Sequence, residues 1–101
     1  MALLAALAWC GAADAADPAA GKQKARMCQV CHGLDGIARL PEAPNLAGES
    51  TVYLERQLKA FRAGERKSPQ MSVVAQTLSD ADIANLAAWY SSIEITAKMP
   101  E

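Results

Sequence analysis

Cys28-Gln29-Val30-Cys31-His32-Gly33 is the stretch on which the reading of this chain turns. Two cysteines stand two residues apart, and a histidine follows the second directly. Three kinds of site can be built on such a trio: a zinc site, a redox disulfide, or a covalently attached haem. A structural zinc ion takes four ligands, as a rule in two separated pairs. His32 is the chain's single histidine, and no cysteine follows Cys31, so the second pair is missing. Neighbouring Cys31 and His32 would also struggle to reach one ion together. A thioredoxin-type Cys-x-x-Cys belongs to a mixed α/β fold, with a strand before it and a helix after it. Here a helical stretch leads in and a loop rich in glycine and proline follows. The third reading meets neither obstacle. Cys-x-x-Cys-His is the attachment signature of c-type haem. Two residues between the thiols match the separation of the vinyl groups they bond, and the histidine beside the second thiol reaches the iron. The implied cofactor is one covalent haem c with its iron.

With one histidine in the chain, the sixth position of that iron is filled by methionine, by lysine, or left open. Beyond Met1, methionines stand at 27, 71 and 99. Met27 adjoins Cys28 and cannot swing to the far face, and Met99 lies in the tail. Met71, just after Ser68-Pro69-Gln70, is the candidate axial ligand. The competing reading makes it core filler, a part its flexible thioether plays well. A Met/His pair raises the reduction potential relative to bis-histidine iron and closes both axial positions. A closed iron moves electrons and does not bind dioxygen.

Outward from the motif the pattern is helical throughout, so the expected fold is all-α, about four helices around the haem. The first helix opens at Asp17-Pro18, an N-cap followed by proline at the first helical position, and runs toward Cys28. The second spans 51–63, capped by Ser50 or Thr51, with Tyr53, Leu54, Leu58 and Phe61 on one face and Gly64 where a terminating glycine belongs. A short third helix covers about 71–77. The fourth covers 80–93: Ser79 caps it, Asp82 can complete a capping box, and Ile83, Leu86, Ala87 and Tyr90 form its apolar stripe. Between Cys31 and Ser50 runs an irregular segment with Gly33, Gly36, Pro41, Pro44 and Gly48. Loops of this length in small domains are uncommon unless functional; this one is well placed to wrap a bound group.

The chain has 101 residues and is 51% hydrophobic, with only 5% aromatic residues. That is one domain with a small, alanine-rich core, to which a haem would add the missing apolar bulk. Residues 1–16 read as an export signal: an apolar run at 2–9, then small residues around Ala13-Asp14-Ala15-Ala16. The run is shorter than the roughly 20 apolar residues of a membrane span, and no Lys or Arg precedes it. Cys10 goes with the leader, lipidation being a minor alternative. The domain expected to remain is 17–101. Losing Asp14 leaves it with as many acids as bases, which argues against nucleic-acid binding. Export agrees with the motif, because haem c is attached outside the bacterial cytoplasmic membrane. The expected location is the periplasm.

Five ordered blocks now bear comparison: AAGKQKARMCQVCHG, PEAPNLAGES, YLERQLKAFRAGER, PQMSVVAQTLSDADI and LAAWYSSI. Together, over nearly all of residues 18–93, the chain resembles the small class I c-type cytochromes, most closely the cytochrome c4-like and c553-like domains. The resemblance implies that Gly21 lets the last helix cross the first closely, near Leu86, Trp89 and Tyr90. It implies that the Pro44 carbonyl accepts a hydrogen bond from His32 Nδ1 and that Leu46 packs on the haem. Tyr53, Arg62 and Arg66 become candidates for the haem propionates. Lys22, Lys24, Arg26, Arg39, Arg66 and Lys67 could rim the haem edge for docking, or be plain solvated charges. Many cytochrome c4 proteins carry two such domains, and one is present here. The implied function is one-electron transfer between redox protein partners: an oxidase, a reductase or a dehydrogenase. The alternative is a haem c subunit fixed to a periplasmic flavin or molybdenum dehydrogenase. A haem protein with an open site, for ligand binding or peroxide chemistry, is the third reading.

Overall fold

The computed structural model describes Ala5 and residues 15–101; the leader residues 1–4 and 6–14, with Cys10, lie outside the described part. Five α-helical segments follow in order: α1 (Pro18–Lys24), α2 (Gln29–His32), α3 (Thr51–Ala63), α4 (Met71–Gln76) and α5 (Asp80–Ser91). The first expected helix is thus divided. After α1 the chain tightens into a 3₁₀ turn over Ala25–Met27 and reopens as α2, so the cysteine pair sits on a short helical turn of its own. α5 ends at Ser91, two residues earlier than the apolar pattern suggests, because Ser92 is its C-cap.

The ends are set by local chemistry. The Asp17 side chain accepts from Ala19 N–H, with Pro18 in the first turn. Ser50 caps α3 by accepting from Tyr53 N–H. Gly64 closes α3 at φ 77°, a left-handed conformation that costs glycine little. At α5 the reciprocal capping box is complete: Ser79 Oγ accepts from Asp82 N–H and Asp82 Oδ2 from Ser79 N–H, both at 3.0 Å.

α1 and α5 cross so closely that a side chain at residue 21 would have no room. A Cβ built on Gly21 overlaps the Asn85 carbonyl and lies 2.9 Å from Trp89 Cβ. Asn85 also holds the start of α1, its Oδ1 accepting from Asp17 N–H at 2.8 Å. α3 packs across α5, and α4 against α3. Ala25, Leu54, Leu78, Ile83, Leu86, Ala87 and Tyr90 form the buried cluster between them. The apolar stripe expected on α5 is buried at all four positions. On α3, Leu54 and Phe61 are buried, whereas Tyr53 is 47% exposed. Tyr53 lies one position N-terminal to Leu54, about 100° round the helix, and so outside this packed face.

Candidate haem site

His32 ends α2 and is only 8% exposed, the one buried polar side chain among the described residues. Its Nδ1 lies 2.8 Å from the Pro44 carbonyl oxygen. A carbonyl can only accept, so Nδ1 carries the proton and Nε2 keeps the lone pair that a metal would take. The bond also fixes the ring plane and makes Nε2 more basic. Both thiols precede the imidazole in sequence, Cys31 directly. Both are part-buried, and they are not bonded to one another. Burial pushes the Cys28 thiol up to about 11, against the pull of nearby Lys24. The pocket therefore favours uncharged sulfur, which is what a thioether is.

The loop 33–50 holds its shape through backbone groups. Gly36 O accepts from Leu46 N–H at 2.7 Å and Ala47 N–H at 3.1 Å. Cys31 O accepts from Arg39 N–H at 2.8 Å, and Asn45 Oδ1 from Ala38 N–H at 2.7 Å. Asp35 Oδ1 receives Ile37 N–H, and its other oxygen pairs with Arg39 at 3.1 Å. Those contacts, the Ile37 N–H bond foremost, hold the Asp35 carboxyl below its usual value. At Gly36 the chain turns with φ 75°, and a Cβ there would lie 2.5 Å from Ala47 N, so glycine is required both for the turn and for the close approach.

α5 reaches down onto this loop. Trp89 Nε1 donates to Leu34 O at 2.9 Å and Tyr90 Oη to Gly33 O at 3.0 Å. The sequence places both aromatics near Gly21, and Tyr90 in the apolar stripe of α5 as well, without showing their bonds to the loop. Two adjacent aromatics with polar tips, at the end of an apolar stripe, were the available signal.

Met71 begins α4 and is part-buried. Its N–H donates to Ser68 Oγ at 3.2 Å, and Ser68 N–H donates to Ser72 Oγ at 3.0 Å, so two serines fix the entry to α4. The fold brings His32 and Met71 together in a geometry consistent with axial ligands. Leu46 packs part-buried against the core, and Pro44 is exposed apart from its use as acceptor. Arg62 is engaged elsewhere. Its guanidinium donates to Leu78 O at 3.1 Å and to Asp80 Oδ1 at 2.5 Å, and its carbonyl accepts from Gln76 Nε2. Arg66 donates to Gln57 and lies over the Phe61 ring. Much of the supposed docking rim is locally occupied as well: Lys22 sits over Trp89, Lys24 pairs with Asp82, and Arg26 reaches Gln23.

The residues present fit a haem. Cys28, Leu34, Leu46 and Leu58 pack against the core while staying part-exposed, and Met27, Val30, Ile37 and Leu40 beside them in sequence are more exposed still. The core is unfinished around the motif, as it would be where a flat apolar group completes it. Of the large core side chains, Ile83 alone is fully buried. Among the described residues no three His, Cys, Asp or Glu side chains cluster to hold a bare metal ion. No described helix is long and apolar enough to cross a membrane.

A small helical domain that crosses its last helix over its first, and hangs two thiols and an imidazole held at Nδ1 on the joint, is a c-type cytochrome. Known proteins bear this out. The family model for cytochrome c oxidase, cbb3-type, subunit III matches residues 13–89. Cytochrome c-554(548) of Halomonas halodenitrificans is 51% identical over 83 residues, covering 79% of this chain and all of that one. The crystal structure of reduced cytochrome c4 from Pseudomonas stutzeri superposes with a TM-score of 0.73 at 37% identity, over 79% of this chain and 47% of that one. A thiosulfate dehydrogenase electron acceptor from Thiomonas intermedia is 39% identical over 100 residues, 97% of this chain and 44% of that protein. The chain therefore spans the whole of one relative and about half of the others. It belongs to the class I c-type cytochromes, as a monohaem domain of the cytochrome c4 and c-554 kind. Its cofactor is covalent haem c, and it is an electron carrier, not itself an enzyme.

Proposed function

We propose that this chain carries single electrons in the periplasm between respiratory redox proteins, with His32 and Met71 as the paired axial ligands. The hydrogen bond from His32 Nδ1 to Pro44 O carries the reading, since it leaves Nε2 as the imidazole's one free donor atom. The haem supplies a one-electron iron couple. The protein's part is to keep its own side chains still while the charge changes. Cys28 and Cys31 are the covalent anchors. Pro44 orients the imidazole, and Ser68 and Ser72 hold the backbone at Met71. Leu46 and Tyr53 are the proposed contacts to the haem plane and its propionates. Arg62, with its guanidinium on Leu78 O and Asp80, acts at one remove by bracing α3 against the α4–α5 joint.

The relative named as an electron acceptor of thiosulfate dehydrogenase supports a dehydrogenase of that kind as donor. Residues 1–16 support export, followed by a domain over 17–101 that opens at the Asp17 cap. A second reading, a haem subunit held permanently in an oxidoreductase, draws on the family model named for an oxidase subunit. Purification from the native host separates the two: a free monohaem protein supports the shuttle, and a fixed ratio with an enzyme supports the subunit.

Met71→Ala tests the ligand pair. The native holoprotein should show a thioether-to-iron charge-transfer band and no response to carbon monoxide. The variant should lose the band, bind carbon monoxide when reduced, and fall in potential. An unchanged spectrum and potential would remove Met71 from the iron.

A further inference from the structure

We infer that Tyr90 is a positioning residue for His32, because this one residue of α5 ties down both the chain that carries the imidazole and the chain that carries its acceptor. The phenol Oη donates to the carbonyl of Gly33, the residue directly after His32, at 3.0 Å. The main-chain carbonyl of the same Tyr90 accepts from Gly48 N–H at 2.9 Å, at the end of the segment that contains Pro44. The His32–Pro44 bond spans these two strands of the loop, so its length depends on how far apart they are held. Gly36 O, bonded to Leu46 and Ala47 N–H, and Asn45 Oδ1, bonded to Ala38 N–H, are further ties between them. Trp89 adds a parallel anchor one residue on, at Leu34 O.

Tyr90 is suited to the task. It is 2% exposed and belongs to the central buried cluster, so its ring cannot move without the core. Without its hydroxyl, the Gly33 carbonyl would keep only the longer bond from Gly36 N–H at 3.2 Å and would face a dry ring, a cost that backbone movement relieves. Movement at residue 33 displaces the imidazole attached one residue earlier. A longer Nδ1–H···O bond makes Nε2 a poorer donor. A poorer donor stabilises oxidised iron less than reduced iron, so the potential rises. This inference rests on His32 as the axial ligand.

The test compares Tyr90→Phe with Ile83→Val in the haem-loaded protein. Ile83 lies in the same cluster and is fully buried, and trimming it lowers stability without removing a bond to the loop. Tyr90→Phe should raise the reduced-to-oxidised ratio at fixed solution potential about threefold, as loss of part of one hydrogen bond implies. It should also shift the His32 ring resonances in the paramagnetic NMR spectrum. Ile83→Val should melt lower with both readouts unmoved. Trp89→Phe, which removes the neighbouring donor, should give a smaller shift of the same sign, and serves if Tyr90→Phe does not fold. If the Tyr90 variant, or Trp89→Phe in its place, melts lower but keeps the native potential and His32 resonances, α5 is only packing and the inference fails. If the native protein shows no iron-shifted His32 resonances, the ligand assignment falls, and the inference with it.

Discussion

Gly21→Ala adds one methyl group at the point where α1 and α5 touch, and the structure says how much that costs. The new Cβ would fall on the Asn85 carbonyl and 2.9 Å from Trp89 Cβ, where ordinary contact begins at 3.4 Å. The obstacle is backbone and cannot rotate aside, so the helices must part by more than about an ångström to restore normal contact. Parting them strains the Asp17 N–H to Asn85 Oδ1 bond, about 1 kcal/mol, and overpacks a crossing beside Ala25 and Ala87, both fully buried, typically about 1–3 kcal/mol or more. Alanine's better helix propensity returns about 1 kcal/mol. The net loss is about 1–3 kcal/mol or more, or roughly 4–24 °C in melting temperature for a domain of this size. Gly64→Ala is the control: a Cβ there meets nothing within 4 Å, leaving only the left-handed backbone penalty of about 1–2 kcal/mol. The assay is thermal unfolding of both haem-loaded variants by far-ultraviolet circular dichroism. If Gly21→Ala melted within about 3 °C of the native protein, or above Gly64→Ala, the close crossing would not be a source of stability.

Further outcomes are expected. Cys28→Ala with Cys31→Ala should leave a chain with little native helicity, because the core around the motif is incomplete without the haem; native helicity without haem would contradict this. Asp35, Asp80 and Asp82 are each held below the ordinary value of 3.8, first by Ile37 N–H, by the Arg62 side chain and by Ser79 N–H respectively. A carboxyl that ionises more easily when folded adds stability above 3.8 and gives it up as the pH falls below that value. The melting temperature should therefore drop on acidification through this range, and Asp80→Asn should flatten the drop, less so in high salt. Arg62→Gln frees the Leu78 carbonyl and Asp80 together. It should lower stability by about 1–2 kcal/mol in urea titration, and equal midpoints for variant and native protein would show the brace to be idle.

The haem reading needed no structure. Spacing alone makes Cys28, Cys31 and His32 a haem-attachment motif, because the thiol separation is fixed by the vinyl groups. One histidine and a missing second ligand pair remove zinc. Helix ends were equally legible at Asp17, Ser50, Gly64 and Ser79, since capping is a contact within three or four residues and its partners are adjacent in the chain. The four-residue stripe of α5 was legible for the same reason: its 3.6-residue period is local.

Contacts between distant segments were not legible. Arg62 reads as a basic residue near a haem edge, and nothing local shows that it bonds to Leu78 O and Asp80, sixteen and eighteen positions away. The sequence pattern groups Tyr53 with Leu54, Leu58 and Phe61, yet which part of α3 faces the core depends on where α5 crosses it. The first helix breaks at Ala25–Met27 in a stretch whose local pattern gives no stop signal. The bonds from Trp89 and Tyr90 to Leu34 and Gly33 join residues more than fifty positions apart. Composition and period report what a residue prefers beside its neighbours in sequence. Which of several willing donors reaches a given carbonyl is decided by the packing of whole helices, and only the folded chain supplies that.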